Sequence, residues 1–177
     1  MERKTKRLLI RRAQQRNRQA YCSMRNSEYV MQYNVMEEES PETLWEQIER
    51  DATSDRAFYL EDRASGELVG AVWLHRDSLR YGVESATLEY FLGKEYAGQG
   101  LMTEALEEIL HHAFDELKLD VVCVRVFADN KASQRVVEKL GFVQEGILRR
   151  AIRGHGGVVH NDVLFSMLRE EWEQRRR

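Results

Sequence analysis

Two short stretches of this 177-residue chain carry residue types whose spacing suits chemistry. The first is Leu92-Gly93-Lys94-Glu95-Tyr96-Ala97-Gly98-Gln99-Gly100-Leu101-Met102-Thr103, where a strand-like run gives way to a helix-like one. Gly98 and Gly100 remove side chains where a ligand would approach the backbone, and the positive end of the following helix favours an anion. The chemistry such a turn offers is phosphate binding by backbone N–H groups. Two phosphate motifs are weakened: no Gly-Lys-Ser/Thr follows Gly98 as a P-loop needs, and a dinucleotide fingerprint would need glycine where Thr103 stands. A plain tight turn would use the same two glycines. The second stretch is Val126-Phe127-Ala128-Asp129-Asn130-Lys131-Ala132-Ser133. Asn130 and Ser133 would stand at the carboxyl end of a strand, where open α/β sheets take ligands. Ordinary helix capping by Asn130 accounts for the same pair.

Elements must position these residues, and the apolar pattern supplies them. Lys6–Arg12 reads as a first strand and Ala13–Tyr33 as broken helical pieces. Ser40-Pro41-Glu42 has the signature of a helix start, with Ser40 as cap, Pro41 at the first helical position and Leu44 and Ile48 in the buried stripe. Ala57–Asp62 and Leu68–His75 flank the turn residues Ala64-Ser65-Gly66 and predict a hairpin. Ala86–Leu92 is a strand feeding the glycine loop, and Leu101–Leu117 keeps helical spacing for more than four turns. Within that helix His112 is expected to face solvent. Val121–Phe127 has the apolar continuity of a strand buried on both faces. Asn130–Leu140 is a helix closed by Gly141, and Phe142–Arg149 and Val158–Leu168 are the last strands. The Arg175-Arg176-Arg177 run reads as a solvated tail. The order implies an α/β or mixed α+β fold in a single domain spanning 1–177, with helices on the faces of a mixed sheet.

Composition narrows the function classes. With 27 basic and 30 acidic residues the net charge is −3, which argues against a dedicated nucleic-acid-binding module. Hydrophobic residues at 42% exclude a disordered chain. No apolar run approaches a membrane span, and the charged first twelve residues do not read as a secretory signal. Two cysteines, Cys22 and Cys123, cannot build a disulfide framework, and no metal-ligand spacing is present. A cytoplasmic protein without metal is expected.

Taken together, the segments Lys6–Arg12, LEYFLGKEYAGQGLMTEAL, FADNKASQRVVEKLGFVQEGILR and VLFSMLREEW resemble the GNAT superfamily of acetyl-CoA-dependent N-acetyltransferases. The likeness is to the branch that acetylates ribosomal-protein N-termini at serine or alanine. It implies a twisted mixed sheet of about six or seven strands, with helices on both faces and a central splay holding acetyl-CoA as co-substrate. On this resemblance the amides of Tyr96, Ala97, Gly98, Gln99, Gly100, Leu101 and Met102 would hold the pyrophosphate. The strand end Tyr90-Phe91-Leu92 would pair with the pantetheine arm, Asn130 would bond it, and Ser133 would sit near the thioester sulfur. Two departures stand out. Glu95 occupies a position where the superfamily often has Gln or Arg, and Ile152 occupies one where branch members often place a glutamate base.

Amide formation from an amine and a thioester needs a neutral amine, a stabilised oxyanion and a thiolate able to leave. A strand N–H near Phe91 or Leu92 would supply the electrostatic component. Glu89 is the nominated base, placed by strand alternation on the face of Phe91 and opposite Tyr90, although an exposed strand carboxylate reads the same way. Ser133 is the preferred proton donor to the thiolate, with Tyr90 as a second candidate. His155, in a glycine-flanked turn, is a candidate acceptor contact. The acceptor expected is a primary amine, chiefly a protein N-terminus, handled by a monomer or homodimer. The alternatives are acetylation of a small amine, such as a polyamine or an antibiotic, and a non-catalytic acyl-CoA-binding module.

Overall fold

The computed structural model describes residues 2–34 and 37–176. Its strands follow the order β1-β2-β3-β4-β5-β6-β8-β7 in a mixed sheet of eight, one or two more than expected. The chain forms two compact units.

The first unit comprises residues up to Trp73, Tyr90–Leu101 and Arg153–Val158. Here β1 (Glu2–Lys4), β2 (Leu8–Arg11), β3 (Ala57–Asp62) and the first part of β4 (Leu68–Arg76) pair antiparallel in succession. The added strand is β1. Its Glu-Arg-Lys sequence has no apolar alternation to announce it, and only pairing with β2 makes it a strand. The broken helical pieces are α1 (Arg18–Arg25) and α2 (Glu28–Met31), and α3 (Pro41–Asp51) begins as predicted, with Ser40 Oγ accepting from Thr43 N at 3.3 Å. Leu44 and Ile48 are fully buried.

Tyr21, Tyr59, Trp73 and Phe91 form an aromatic core, with Tyr21–Tyr59 centroids 5.3 Å apart and Trp73–Phe91 centroids 5.6 Å apart. Asp51 accepts from Tyr59 Oη at 2.9 Å and from Trp73 Nε1 at 3.0 Å, so the polar tips of two buried rings are satisfied. Burial holds the Tyr21 and Tyr59 hydroxyls well above the ordinary phenol range. A register shift at Leu60/Glu61 accompanies the burial of Glu61. Its carboxylate takes Arg11, Arg16 at 2.6 Å and Asn17 Nδ2 at 2.9 Å, as a buried charge requires.

The second unit comprises Leu74–Glu89, Met102–Ile152 and Val159 onward. In β5 (Ser85–Leu92), residues Ser85–Leu88 pair in parallel with Val121–Val124 of β6 (Val121–Phe127). Along its whole length β6 pairs antiparallel with β8 (Val159–Leu168), from Val121↔Leu168 to Phe127↔Asp162. Side chains on both faces of β6 are buried, all but Arg125, which explains its near-continuous apolar run. The eighth strand is β7 (Val143–Arg153).

The long helix differs from expectation at its end. The α-helical part α4 spans Leu101–His111, and His112–Glu116 is a π turn in which Leu117 N donates to His112 O at 3.0 Å. His112 is buried rather than solvent-facing, with Nδ1 2.8 Å from Glu116 Oε2: it stands three residues after buried Ile109 and seven after buried Ala105, on the inward stripe of the helix. After β6 comes α5 (Lys131–Lys139), followed by Gly141 at φ +84°, the left-handed position that closes a helix. A further helix, α6 (Arg169–Arg175), follows the last strand, where the sequence reading placed no element before the Arg175–Arg177 run. Glu171 Oε2 accepts from Leu168 N at 2.8 Å at its start. Trp172 is fully buried, stacked on Phe114 at 5.9 Å and met edge-on by His111 at 4.8 Å. Arg176 reaches Asp115 at 2.9 Å, so the basic run is tied down through Arg176, and Arg177 lies outside the described residues.

Cys123 is also buried. Its thiol contacts Arg80 Nη1 at 2.6 Å and lies 3.6 Å from Asp77 Oδ2, and burial pushes it up to about 12. It is a core group, as expected, and no nucleophile at neutral pH.

Trp172 is the largest fully buried side chain. Trp172→Ala should therefore lower stability by about 3–5 kcal/mol, measured as the shift in a urea unfolding curve. A loss below about 1 kcal/mol would show that α6 is only loosely docked.

Candidate functional site

The glycine loop lies in the first unit and takes the conformation its residues suggest. After β5, Lys94–Tyr96 form one 3-10 turn, and α4 opens at Leu101. Between them Gly98 and Gly100 hold φ of +74° and +77°. A non-glycine residue meets steric strain of roughly 1–2 kcal/mol in that region. Nothing lies within 4 Å of a Cβ built on Gly98, so the residue is needed for backbone hand and leaves open room above it. Gly98, Gln99 and Gly100 are exposed, while Leu101 and Met102 are buried and anchor the start of α4. The first N–H groups of a helix have no intrahelical acceptor. Left-handed glycines followed by such N–H groups form a concavity suited to a diphosphate. The Gln99 side chain folds back, Nε2 donating to Glu95 O at 2.8 Å, and Tyr96 Oη meets Glu67 Oε2 at 3.2 Å. Arg7 Nη1 donates to Gln99 O at 2.8 Å, a contact the sequence reading did not contain.

The end of β5 is set by β4. Gly93 N donates to Val69 O at 3.0 Å, and a Cβ on Gly70 would collide with the Phe91 carbonyl oxygen. Phe91 turns its ring into the aromatic core, so only its backbone is available to a ligand. Leu92 and Tyr90 are half-buried.

Glu89 does not follow the expected alternation. Ala86 and Leu88 are buried, and the next buried residue is Phe91, so the inward phase slips by one across Glu89 and Tyr90. The carboxylate of Glu89 is exposed, and Oε2 lies 2.8 Å from Nε2 of His75 on β4. Sequence reasoning missed His75. Only strand pairing brings residues 14 positions apart into contact, and no local signal marks it.

Asn130 Oδ1 accepts from Ser133 N at 3.1 Å, the capping geometry. The amide Nδ2 is the part of Asn130 left to offer a ligand. Ser133 is half-buried in the first turn of α5. Gln134 strengthens this corner, Nε2 donating to Phe127 O at 3.1 Å and to Ala128 O at 2.9 Å. Asn130, Ser133, Met102 and Glu89 belong to the second unit, whereas Tyr90–Leu92 and Tyr96–Leu101 belong to the first. Ile152, on β7, is half-buried and brings no carboxylate. His155 N donates to Asn34 O at 3.1 Å, and its Nδ1 lies 3.7 Å from Glu37. Glu39 is paired with Arg25 at 2.5 Å, so the acidic run near residue 38 is partly neutralised. Among the described residues, no group of three or more His, Cys, Asp or Glu could hold a metal, and no helix is long and apolar enough to cross a membrane.

The acetyltransferase (GNAT) domain family matches residues 7–143. YdaF of Bacillus subtilis, named as a ribosomal N-acetyltransferase, is 35% identical over 109 residues, covering 61% of this chain and 57% of its own length. The Escherichia coli ribosomal-protein-serine acetyltransferase is 30% identical over 86 residues, covering 48% of this chain and 46% of its own length. Among solved structures, a GNAT-family acetyltransferase from Bacillus anthracis superposes with a TM-score of 0.85 at 24% identity, covering 97% of this chain and all of that one. A spermidine N-acetyltransferase from Vibrio cholerae, in complex with CoA and spermine, gives 0.83 at 23% identity, covering 96% of this chain and 99% of that one. With the left-handed glycine loop, its helix and a mixed sheet all in place, this chain belongs to the GNAT family and is an N-acetyltransferase.

Proposed function

We propose that the protein transfers the acetyl group of acetyl-CoA to the N-terminal α-amine of a protein, within one domain spanning 1–177 and in the cytoplasm. The observation that carries the cofactor assignment is the exposed Gly98-Gln99-Gly100 turn, left-handed at both glycines and leading into α4. Support for the acceptor comes from the relatives named for ribosomal-protein acetylation.

The amides of Tyr96–Leu101, with that of Met102, hold the pyrophosphate. The backbone of Phe91 and Leu92 pairs with the pantetheine arm and aims an N–H at the thioester oxygen, where negative charge develops. Asn130 bonds the same arm through Nδ2, since its Oδ1 is committed to the helix cap. Positioning the two reactants supplies much of the rate, because bound groups lose no further translational entropy. Glu89, directly or through water, takes the proton that the amine must lose. The amine nitrogen bonds to the acetyl carbon, the carbon–sulfur bond breaks, and Ser133 passes a proton to the departing thiolate while taking one from water, so that its hydroxyl is restored. Tyr90 is the second candidate for that proton. Glu89 takes the place of the base that Ile152 does not supply.

Thiol release from acetyl-CoA tests the acceptor, using peptides beginning with Ser, Ala or Met, spermidine and an aminoglycoside. Turnover confined to peptides, with product mass placing acetyl on the α-amine, is expected. Turnover with spermidine alone would move the protein to small-amine acetylation. Acetyl-CoA binding with no turnover on any acceptor would make it a binding module.

Two sets of variants test the residue roles. Ser133→Ala and Glu89→Gln should each lower kcat on the order of 100-fold while changing acetyl-CoA affinity much less. Unchanged kcat would remove that residue from the mechanism. Gly100→Val should abolish acetyl-CoA binding in calorimetry, and retained binding would overturn the loop assignment.

A further inference from the structure

The phosphate loop contains a weakness that its own sequence cannot repair. Glycine populates both hands of the φ map at similar cost. The φ of +77° at Gly100 is therefore not enforced by the residue itself. Rotating the Gln99–Gly100 peptide plane would reverse the directions of the Gln99 carbonyl and the Gly100 N–H together, because the two point opposite ways across a planar trans peptide. Such a flip would replace a donor with a carbonyl oxygen on the face meant for an anion.

One side chain distant in sequence opposes that rotation. Arg7 Nη1 donates to Gln99 O at 2.8 Å, and its Nη2 would lie 3.7 Å from a Cβ on Gly100. Arg7 itself projects from a turn that is tightly held. Thr5 N donates to Leu8 O at 2.9 Å and Leu8 N to Thr5 Oγ1 at 2.9 Å. Arg63 N donates to Arg7 O at 2.8 Å, while Arg63 Nη1 reaches Thr5 O at 2.5 Å and Lys6 O at 3.3 Å. On the other side the Gln99 side chain is tied to Glu95 O at 2.8 Å. All of these residues lie within the first unit.

We infer that Arg7 is a positioning residue for the phosphate cradle: by holding the Gln99 carbonyl it keeps the Gly100 N–H turned to the opposite face, ready for the CoA diphosphate. Arg7 acts through the loop backbone and need not touch the phosphates. The inference rests on the proposed role of this loop in binding acetyl-CoA.

The experiment compares wild type with Arg7→Ala and Arg7→Lys in three measurements. These are calorimetric affinity for acetyl-CoA, steady-state kinetics, and 15N relaxation dispersion at the amides of Gly98, Gln99 and Gly100 without ligand. A hydrogen bond from a charged donor is worth enough that its loss should weaken acetyl-CoA binding about tenfold in Arg7→Ala. The KM for acetyl-CoA should rise in parallel, while kcat and the thermal unfolding midpoint stay near wild type. Microsecond-to-millisecond exchange should appear at Gly100 in Arg7→Ala and be absent from wild type. Arg7→Lys, which keeps a charged donor, should recover most of the affinity. Affinity within twofold of wild type in Arg7→Ala would overturn the inference. So would a tenfold loss with unchanged loop dynamics, which would assign Arg7 a purely electrostatic role. If wild type itself fails to bind acetyl-CoA, the functional reading of the loop falls, and the dispersion comparison still decides whether Arg7 holds the peptide.

Discussion

The backbone hand at Gly98 and Gly100 is the constraint on which the catalytic reading depends. Both residues sit in the left-handed region between the end of β5 and the start of α4. A side chain at either position would pull the turn towards another conformation and move the first N–H groups of the helix with it. The buried Leu101 and Met102 fix where that helix begins, and the exposed residues before them are left for a ligand. Backbone N–H groups need no charged side chain to meet an anion, and Glu95 contributes its carbonyl to the loop, accepting from Gln99 Nε2 at 2.8 Å.

A second constraint acts on the strand that leads into the loop. Gly70 lets β4 come against the carbonyl of Phe91, and the Phe91 ring packs with Tyr21 and Trp73. The side chain is spent on the core, and the backbone is what remains for recognition. The parallel ladder with β6 comprises Ser85–Leu88, while β5 itself runs on to Leu92. Strand addition by an extended ligand uses main-chain groups of this kind.

The buried carboxylates meet cationic or N–H donors, although Oδ1 of Asp162 has no hydrogen-bond partner among the described residues. Glu61 takes three donors, and Asp162 meets Arg125 Nη2 at 2.6 Å. Asp77 is desolvated, yet the N–H of Leu79 and the Arg80 guanidinium hold its carboxyl below the usual range. The Glu89–His75 pair differs because both side chains are half-exposed. An exposed pair contributes little to stability, so its interest lies in what the carboxylate does rather than in what it holds together. In the acidic run Glu39 meets Arg25, and Glu37 lies 3.7 Å from His155 Nδ1.

Local sequence determined the elements whose signals are local. Ser40-Pro41 marked the start of α3, Gly141 the end of α5, and the apolar run of residues 121–127 a strand buried on both faces. The glycine loop and the Asn130–Ser133 corner were legible because order, spacing and residue type all recur in one family. Tertiary structure alone decided the rest. Strand β1 exists only through pairing, since Glu2-Arg3-Lys4 carries no amphipathic pattern. The π turn at His112–Glu116 carries a hydrogen-bond shift that no periodicity of 3.6 residues per turn contains. Trp172 of α6 packs onto Phe114, in a segment to which the sequence reading gave no element. His75 meets Glu89, and Arg7 meets Gln99 across 92 residues, because sheet pairing and packing bring distant positions together. Periodicity and motifs report what a residue does with its near neighbours, whereas contacts between distant segments exist only once the chain has closed on itself.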